Sequence, residues 1–132
     1  MQADFTQPRE VAGVRKQVSQ FLRDQGLEGE RRDTFMIGVG EAMTNAIKHA
    51  ARGRVYAGKL DQSVWVAVND KGPGISSLIL PRATLLRGFS TKPSLGLGYS
   101  IMLEVSDHIL LRTGDQGTTV VLVKNLVEPE SA

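Results

Sequence analysis

An acidic and an amide side chain stand four residues apart in a segment of strong helical character. Glu41 and Asn45 belong to the run Gly-Glu-Ala-Met-Thr-Asn-Ala-Ile-Lys-His-Ala at positions 40–50. Positions i and i+4 of a helix project from one face, so the carboxylate and the carboxamide lie together. A carboxylate can take a proton from an attacking hydroxyl, and an amide oxygen can bind Mg²⁺. Alone, the pair is equally typical of a solvated helix surface, so its meaning depends on the segments that follow.

A D-x-G-x-G pattern follows a predicted strand. Asp70 opens the run Asp-Lys-Gly-Pro-Gly-Ile at 70–75. A buried aspartate there can accept a hydrogen bond from an exocyclic amine such as that of adenine, and the two glycines let the backbone approach a flat ligand. The same residues also make a good β-turn. Taken by itself, the segment favours the turn.

Two more segments carry glycines next to regular elements. Positions 88–98 read Gly-Phe-Ser-Thr-Lys-Pro-Ser-Leu-Gly-Leu-Gly and lead into a predicted helix. Backbone amides exposed at a helix start form a phosphate cradle, to which Lys92 would add a mobile cation. The segment does not extend to G-x-G-x-x-G and lacks the Walker lysine. Gly-Thr-Thr at 117–119 opens the last strand, where a hydroxyl would support the contact of Asp70 with adenine. Each segment is weak alone, but the four in this order are a strong signal.

The elements that must position these residues follow from periodicity. Helices are predicted at 8–25, 30–50, 77–87 and 99–105, strands at 54–60, 63–69, 108–113 and 118–124, and loops at 70–74 and 88–98. Gly38 and Gly40 lie inside the second helix, which suggests that another element packs closely there. The order predicts an α+β fold, a two-layer α/β sandwich with helices on one face of a mixed, mainly antiparallel sheet. One domain would span 1–132, with an ordered core at about 8–125.

Composition excludes several classes of site. The chain has 132 residues, no cysteine and two histidines, which excludes disulfides and thiol catalysis and disfavours a multi-histidine metal site. The net charge is only +2 and the basic residues are scattered, so nucleic acid is not an expected partner. No apolar run approaches the roughly 18 residues of a membrane helix, and no signal pattern opens the chain. A cytoplasmic location without membrane partners is therefore expected.

The four segments resemble the motifs of the GHKL (Bergerat-fold) superfamily, whose ATP-binding domain occurs in gyrase, a heat-shock chaperone, histidine kinases and mismatch-repair ATPases. The resemblance runs from Val11 to Lys124 and matches the N box with Glu41-x-x-x-Asn45-Ala46, the adenine box with Asp70-x-Gly72-x-Gly74, the glycine box with Gly96-Leu97-Gly98 and the terminal pair with Gly117-Thr118. Within the superfamily, the N box and Gly-Phe-Ser-Thr-Lys with Gly-Leu-Gly are most similar to stand-alone anti-sigma factor serine/threonine kinases of the sporulation and stress-switch type.

The resemblance implies a role for each matched position. Glu41 would be the general base, Asn45 would hold Mg²⁺, and Asp70 would read the adenine amine with help from Thr118 or Thr119. The implied ATP-binding residues are Asn45, Lys48, His49, Asp70, Gly72, Gly74, Ile75, Lys92, Gly96, Leu97, Gly98, Thr118 and Thr119. His49 is equally well interpreted as a partly buried histidine at a helix end.

The resemblance also implies an activity. The chain would be a serine/threonine kinase with ATP and Mg²⁺ as cofactors, phosphorylating a STAS-domain anti-sigma antagonist. A sigma factor, or a downstream phosphatase or regulator, is a further partner that the resemblance allows, as is pairing into a homodimer. Two alternatives stay open: the ATP-binding domain of a histidine kinase, and a nucleotide-gated module that sequesters a sigma factor or regulator.

Overall fold

A computed structural model describes residues 1–50, 52–71, 93–114 and 117–127, with backbone alone at 49–50, 93–98 and 113–114. The described helices are α1 (Pro8–Asp24), α2 (Gly29–Ala50) and α3 (Pro93–Val105), and the strands are β1 (Gln2–Phe5), β2 (Gly53–Leu60), β3 (Ser63–Asp70), β4 (His108–Gly114) and β5 (Gly117–Asn125). The predicted helix at 77–87 and the predicted loop residues 72–74 and 88–92 lie outside the described residues.

The strands form one sheet in the order β1-β2-β3-β5-β4. Every neighbouring pair among these five strands is antiparallel. The predicted α+β sandwich is therefore confirmed, with no parallel pair in the part of the sheet that is described. β1 lies outside the core predicted at about 8–125, yet its Phe5 is fully buried beneath the helices.

Alternation along the strands separates the two faces of the sheet. Val64, Val66 and Val68 of β3 are buried together with side chains of all three helices. The opposite face carries Trp65 of β3 and Leu110 of β4, and Leu110 is 61% exposed. The helices thus form one layer and the sheet the other, because the fully buried side chains of the strands lie on one face of the sheet. Among the described residues, none of the helices is long and apolar enough to span a membrane.

α1 and α2 begin and end close to their predicted positions. α1 starts with Pro8, whose fixed φ suits the first helical position, and buries Val14, Val18 and Leu22 at helical spacing. α2 is one continuous helix of 22 residues. Near its start, Arg31 donates to the main-chain oxygens of Asn125 at 2.6 Å and Leu126 at 2.7 Å, which fixes the end of β5.

α3 differs from its prediction at the start. The helix begins at Pro93 rather than at residue 99, so positions 93–98 are helical and the predicted loop there is wrong. Proline is favoured at a first helical position because its missing N–H needs no partner there. The glycine segment 96–98 consequently lies within the first turns of α3 rather than ahead of them.

Gly38 is the point at which α2 and α3 touch. A Cβ atom added there would lie 2.5 Å from Cγ2 of Val105 and 3.2 Å from Cδ2 of Leu122. At Gly40, it would lie 3.1 Å from the guanidinium carbon of Arg15 on α1. The predicted close packing at both glycines is therefore confirmed, and at Gly38 it leaves no room for a side chain.

We expect Gly38→Ala to lower the free energy of unfolding by about 1–3 kcal/mol, because Val105 has little freedom to move away from the new methyl group. Gly13→Ala is the matched control, since Gly13 is a helical glycine with no neighbouring atom within 4 Å of its added Cβ. That control should raise the free energy of unfolding by roughly 1 kcal/mol. Urea denaturation of both variants measures the difference, and equal shifts would contradict the packing argument.

Candidate functional site

The direction of α2 brings its second half to one end of the sheet. Arg31, near its start, holds the end of β5. The helix ends at Ala50, shortly before Gly53 begins β2, and the neighbouring Arg54 pairs with Asn69 near the end of β3. Glu41 therefore lies toward the end of the sheet at which β3 finishes and β5 begins.

α3 runs antiparallel to α2. Met102 and Val105, in its second half, pack beside Gly38. Tyr99 lies in its first half, where burial, and then the negative charge of Asp70, raise the pKa of the Tyr99 phenol. The first half of α3 and the second half of α2 therefore meet above the end of β3.

Asp70 and Thr118 form a pair at this end of the sheet. They are opposite each other in the register of β3 and β5, and the Thr118 backbone N–H donates to Oδ1 of Asp70 at 3.3 Å. Asp70 continues the alternation of Val66 and Val68, and Thr118 is buried, so both side chains lie on the helix-covered face. A backbone donor thus orients the carboxylate toward the space beneath α2 and α3.

Thr119 lies on the opposite face. Its Oγ1 accepts a hydrogen bond from Nδ2 of Asn69 at 2.6 Å. Of the two threonines left open by the sequence, Thr118 is the one beside Asp70. The terminal glycine explains how close the strands come: Gly117 has φ +131°, and a Cβ there would lie 2.0 Å from the carbonyl oxygen of Asp70.

Asn45 has a buried amide with an unmet hydrogen-bonding capacity. The residue is 8% exposed, and its Nδ2 has no partner within the described chain. Buried polar groups are nearly always paired, so one without a partner indicates a missing ligand group or water. Glu41, one turn earlier on α2, is half-buried, and Lys48, close to one turn later, is exposed.

The residues around Asn45 suit a metal ion that takes most of its coordinating atoms from a bound small molecule and water rather than from the protein. No group of three or more His, Cys, Asp or Glu side chains occurs among the described residues. Mg²⁺ suits such a place, because it is usually bound through one or two protein oxygens, with phosphates and water completing its shell. The amide oxygen of Asn45 can supply one of these contacts.

Tyr99 also belongs to this region, although nothing in its residue type pointed to it. It is 5% exposed and packs in the core. Burial, and then the negative charge of Asp70, raise the pKa of the Tyr99 phenol to about 12. The one available signal was its position directly after Gly98.

The structure places Asp70 beside Thr118, with Glu41 and Asn45 on the half of α2 that lies toward the same end of the sheet, and it puts Thr119 on the opposite face. The backbone of His49 ends α2, and that of Gly96, Leu97 and Gly98 belongs to α3. Gly72, Gly74, Ile75 and Lys92 lie outside the described residues. Their roles therefore stay predictions.

Comparison with known proteins extends this picture. Residues 6–124 match the family model described as "Histidine kinase-like ATPase domain". The chain is 38% identical over 98 residues to an anti-sigma F factor of Bacillus licheniformis, covering 67% of this chain and 65% of that protein. It is 36% identical over 103 residues to an anti-sigma F factor of Halalkalibacterium halodurans, covering 70% and 68%. The chain thus spans about two thirds of the length of these curated relatives.

Solved structures agree in fold. The catalytic domain of histidine kinase ThkA superposes with a TM-score of 0.64 at 17% identity, over 95% of each chain. The mycobacterial sensor histidine kinase MprB superposes with a TM-score of 0.59 at 21% identity, over 95% of this chain and 96% of that one. At such identities the likeness establishes the fold alone.

The motif resemblance is confirmed by the family match, which covers all four segments, and by relatives named as anti-sigma factors. The α+β sandwich is the fold that those motifs predicted. The chain belongs to the histidine kinase-like ATPase domain family, of the GHKL type.

Proposed function

We propose that this protein is an ATP-dependent protein serine/threonine kinase that acts as an anti-sigma switch regulator and phosphorylates a STAS-type anti-sigma antagonist. The observation that carries the proposal is the placing of Glu41 and the unpartnered amide of Asn45 on one helix, at the end of the sheet that holds Asp70. The name anti-sigma F factor, carried by relatives at 34–38% identity, supports the regulatory role. Such a kinase would meet its partners in the cytoplasm.

Asp70 would recognise the base. Its carboxylate is an acceptor only, so it suits the exocyclic amine of adenine and repels the carbonyl oxygen that guanine carries at the same position. The backbone N–H of Thr118 holds that carboxylate in place, and the Thr118 hydroxyl lies on the same face.

Asn45 would hold Mg²⁺, and Lys48 and His49 would lie toward the phosphates and the sugar. When bound, Mg²⁺ neutralises charge on the phosphates during transfer. The Nδ2 of Asn45 is buried and has no partner within the described chain, so this N–H group could donate to a phosphate oxygen while Oδ1 contacts the ion. The helical start of α3 at 93–98 would present its backbone amides to the phosphates.

Glu41 would activate the acceptor. Its carboxylate takes the proton from a serine or threonine hydroxyl of the partner, whose oxygen bonds to the γ-phosphorus. The bond from that phosphorus to the β–γ bridging oxygen breaks, and ADP leaves with the electron pair. The protein mainly positions these groups, since phosphoryl transfer needs little covalent chemistry from the enzyme.

A nucleotide-gated module that sequesters a sigma factor is the second candidate, favoured by the anti-sigma name of the relatives. It would use the same nucleotide pocket but transfer no phosphate. A histidine kinase domain needs an acceptor imidazole, and His108 lies on the edge strand β4 while His49 lies in α2. The stability of the transferred phosphate in acid separates these alternatives.

We expect Glu41→Ala to retain ATP and to lose phosphoryl transfer by roughly 10²- to 10⁴-fold, the usual contribution of a general base. The assay uses γ-labelled ATP, Mg²⁺ and the STAS-domain proteins of the same genome. Glu30→Gln is the matched control, because Glu30 is an exposed glutamate in the first turn of the same helix.

Acid-stable label on a STAS partner that disappears in Glu41→Ala supports the kinase. Acid-labile label indicates a histidine kinase domain instead. Tight ATP binding without label on any STAS protein, unchanged by Glu41→Ala, indicates the binding module.

The two neighbouring threonines give a second prediction. Thr118→Val should weaken ATP binding about fivefold, the effect of one neutral hydrogen bond, whereas Thr119→Val should leave it unchanged, because Thr119 bonds Asn69 on the other face. Isothermal titration calorimetry measures both affinities. An equal loss in the two variants would contradict the assignment of faces.

The metal role of Asn45 gives a third prediction. Wild-type protein should bind ATP more tightly with Mg²⁺ than with EDTA, and Asn45→Ala should reduce that Mg²⁺-dependent gain roughly tenfold or more. Thr44→Ala, at the exposed neighbouring position of α2, is the control. If Asn45→Ala keeps the whole Mg²⁺ effect, the amide is not a metal ligand.

A further inference from the structure

The face of the sheet that the helices leave uncovered carries a band of apolar side chains. The strand registers arrange this band in two neighbouring rows that run across β2, β3, β5 and β4. One row consists of Tyr56, Ala67, Val121 and Leu110, and the other of Gly58, Trp65, Val123 and, at its outer end, His108. The second face of an antiparallel sheet usually carries polar side chains where it meets only water. A contiguous apolar band in that place therefore indicates a binding surface.

Trp65 is held in place on this surface. A Cβ atom added at Gly58 would lie 2.5 Å from Cζ2 and 2.7 Å from Cε2 of Trp65, so the indole occupies the space above the bare backbone of β2. Both Trp65 and its neighbour Tyr56 remain partly exposed. Tryptophan and tyrosine contribute much of the binding free energy at protein interfaces. The band thus presents two aromatic side chains in fixed positions.

A row of polar residues borders the band on the side at which β3 ends. It consists of Asp4, Arg54, Asn69, Thr119 and Arg112. Nε of Arg54 donates to Oδ1 of Asp4 at 2.5 Å, so the charges of that pair balance. Arg112, at the other end of the row, is exposed and forms no ion pair among the described residues. It therefore leaves a positive charge at this edge of the band.

A cleft of about 350 Å³ opens at the corner of the same face, beside Arg54. Its lining adds two exposed cations, Arg52 and Lys71, and neither is in an ion pair within the part of the chain that the structure describes. Of the two acids in the lining, Asp4 is paired with Arg54, and Asp70 accepts from a backbone N–H on the helix-covered face. Positive charge therefore prevails here, although the net charge of the chain is only +2.

The pairing of the strands decides what kind of segment fits the band. β2, β3 and β5 each have a neighbour on both sides, so the band offers side chains but no free backbone groups. A segment that docks there must satisfy its own backbone, as a helix does. Strands lie about 4.8 Å apart, so the row from Tyr56 to Leu110 is about 14 Å wide, which is enough for one helix of about 10 Å diameter. The cations beside the band favour acidic side chains on that helix.

We propose that the apolar band is a docking surface for an amphipathic helix of a protein partner. The apolar stripe of the helix covers Trp65 and Leu110, and its acidic side chains meet Arg112 and the cations of the cleft. This surface lies on the side of the sheet away from the helices and from Asn45, so the inference does not depend on the proposed kinase activity. A partner bound here leaves the space between the helices and the sheet open to a ligand.

The one tryptophan of the chain makes this surface its own reporter. The probe is a helical peptide of about 18 residues, or five turns, with a leucine stripe, a glutamate-rich polar face and no aromatic residue. Titrated into the full chain, it should shift the fluorescence of Trp65 to shorter wavelength and saturate, because the peptide removes water from the indole. Added salt should weaken the binding. The same peptide with lysine in place of each glutamate should give no saturable shift.

Two variants and two matched controls locate the contact. Arg112→Glu should weaken binding of the glutamate peptide about tenfold, because it reverses a facing charge, and Leu110→Ser about fivefold, because it removes apolar area that the peptide buries. Arg23→Glu on α1 and Ile37→Ser on α2 alter the same or similar residue types at exposed positions of the helix layer and should leave binding unchanged. Circular dichroism should give all four variants the helix content of wild type, because each position is exposed.

The proposal is overturned if the glutamate peptide gives no saturable shift up to about 1 mM, where specific binding becomes negligible, or if the lysine peptide binds as tightly. Equal losses in the face variants and the helix-layer controls would place the contact elsewhere and overturn it too. A peptide of the same composition without a continuous leucine stripe must bind more weakly, since equal binding would mean attraction by charge alone. If Leu110→Ser abolishes a dimer that sedimentation detects in wild type, the face pairs with a second copy of this chain and the proposal fails.

Discussion

The structure depends on the close contact between α2 and α3 at Gly38. No side chain separates the two helices there, and Val105, Met102 and Leu122 close around the bare backbone. That contact fixes the antiparallel arrangement of the helices and their height above the sheet. Glu41 and Asn45 follow Gly38 within two turns, so the distance between α2 and α3 at Gly38 also sets the positions of these two side chains.

The two ends of the sheet differ in the polar groups that they carry. At one end, Arg31 holds the main-chain oxygens of Asn125 and Leu126, and Asp107 accepts the N–H of Asn125 at 2.7 Å. Arg32 Nε and Ser106 Oγ, next to these residues in the chain, are nevertheless buried without a hydrogen-bond partner among the described residues, as is Asn45 Nδ2 toward the other end. Unpaired polar atoms thus occur toward both ends. What distinguishes the second end is Asp70, whose carboxylate is oriented by the backbone N–H of Thr118.

Periodicity predicted the long helices and four of the strands, because their apolar positions recur at clear spacings. It could not predict β1, whose four residues carry little pattern and form a strand only by pairing with β2. The start of α3 was placed too late because glycines in the first turns suggested a loop. The choice between Thr118 and Thr119 stayed open because β5 is apolar on both faces, with Val121 alternating against Val120 and Leu122. The burial of Tyr99 depends on the packing of two helices, which no local pattern records.

α2 joins the core and the candidate site in one unbroken helix of 22 residues. Each residue of an α-helix turns the chain by about 100° and advances it about 1.5 Å. A single insertion or deletion between Gly38 and Asn45 would therefore turn either the buried stripe or the polar pair away from its place. We therefore expect substitutions along the exposed face of α2 to be tolerated but changes in its length not to be, whereas the turn at Asp61, between β2 and β3, should tolerate insertions. Evolutionary length variation should accordingly collect in the turns and leave this helix at constant register.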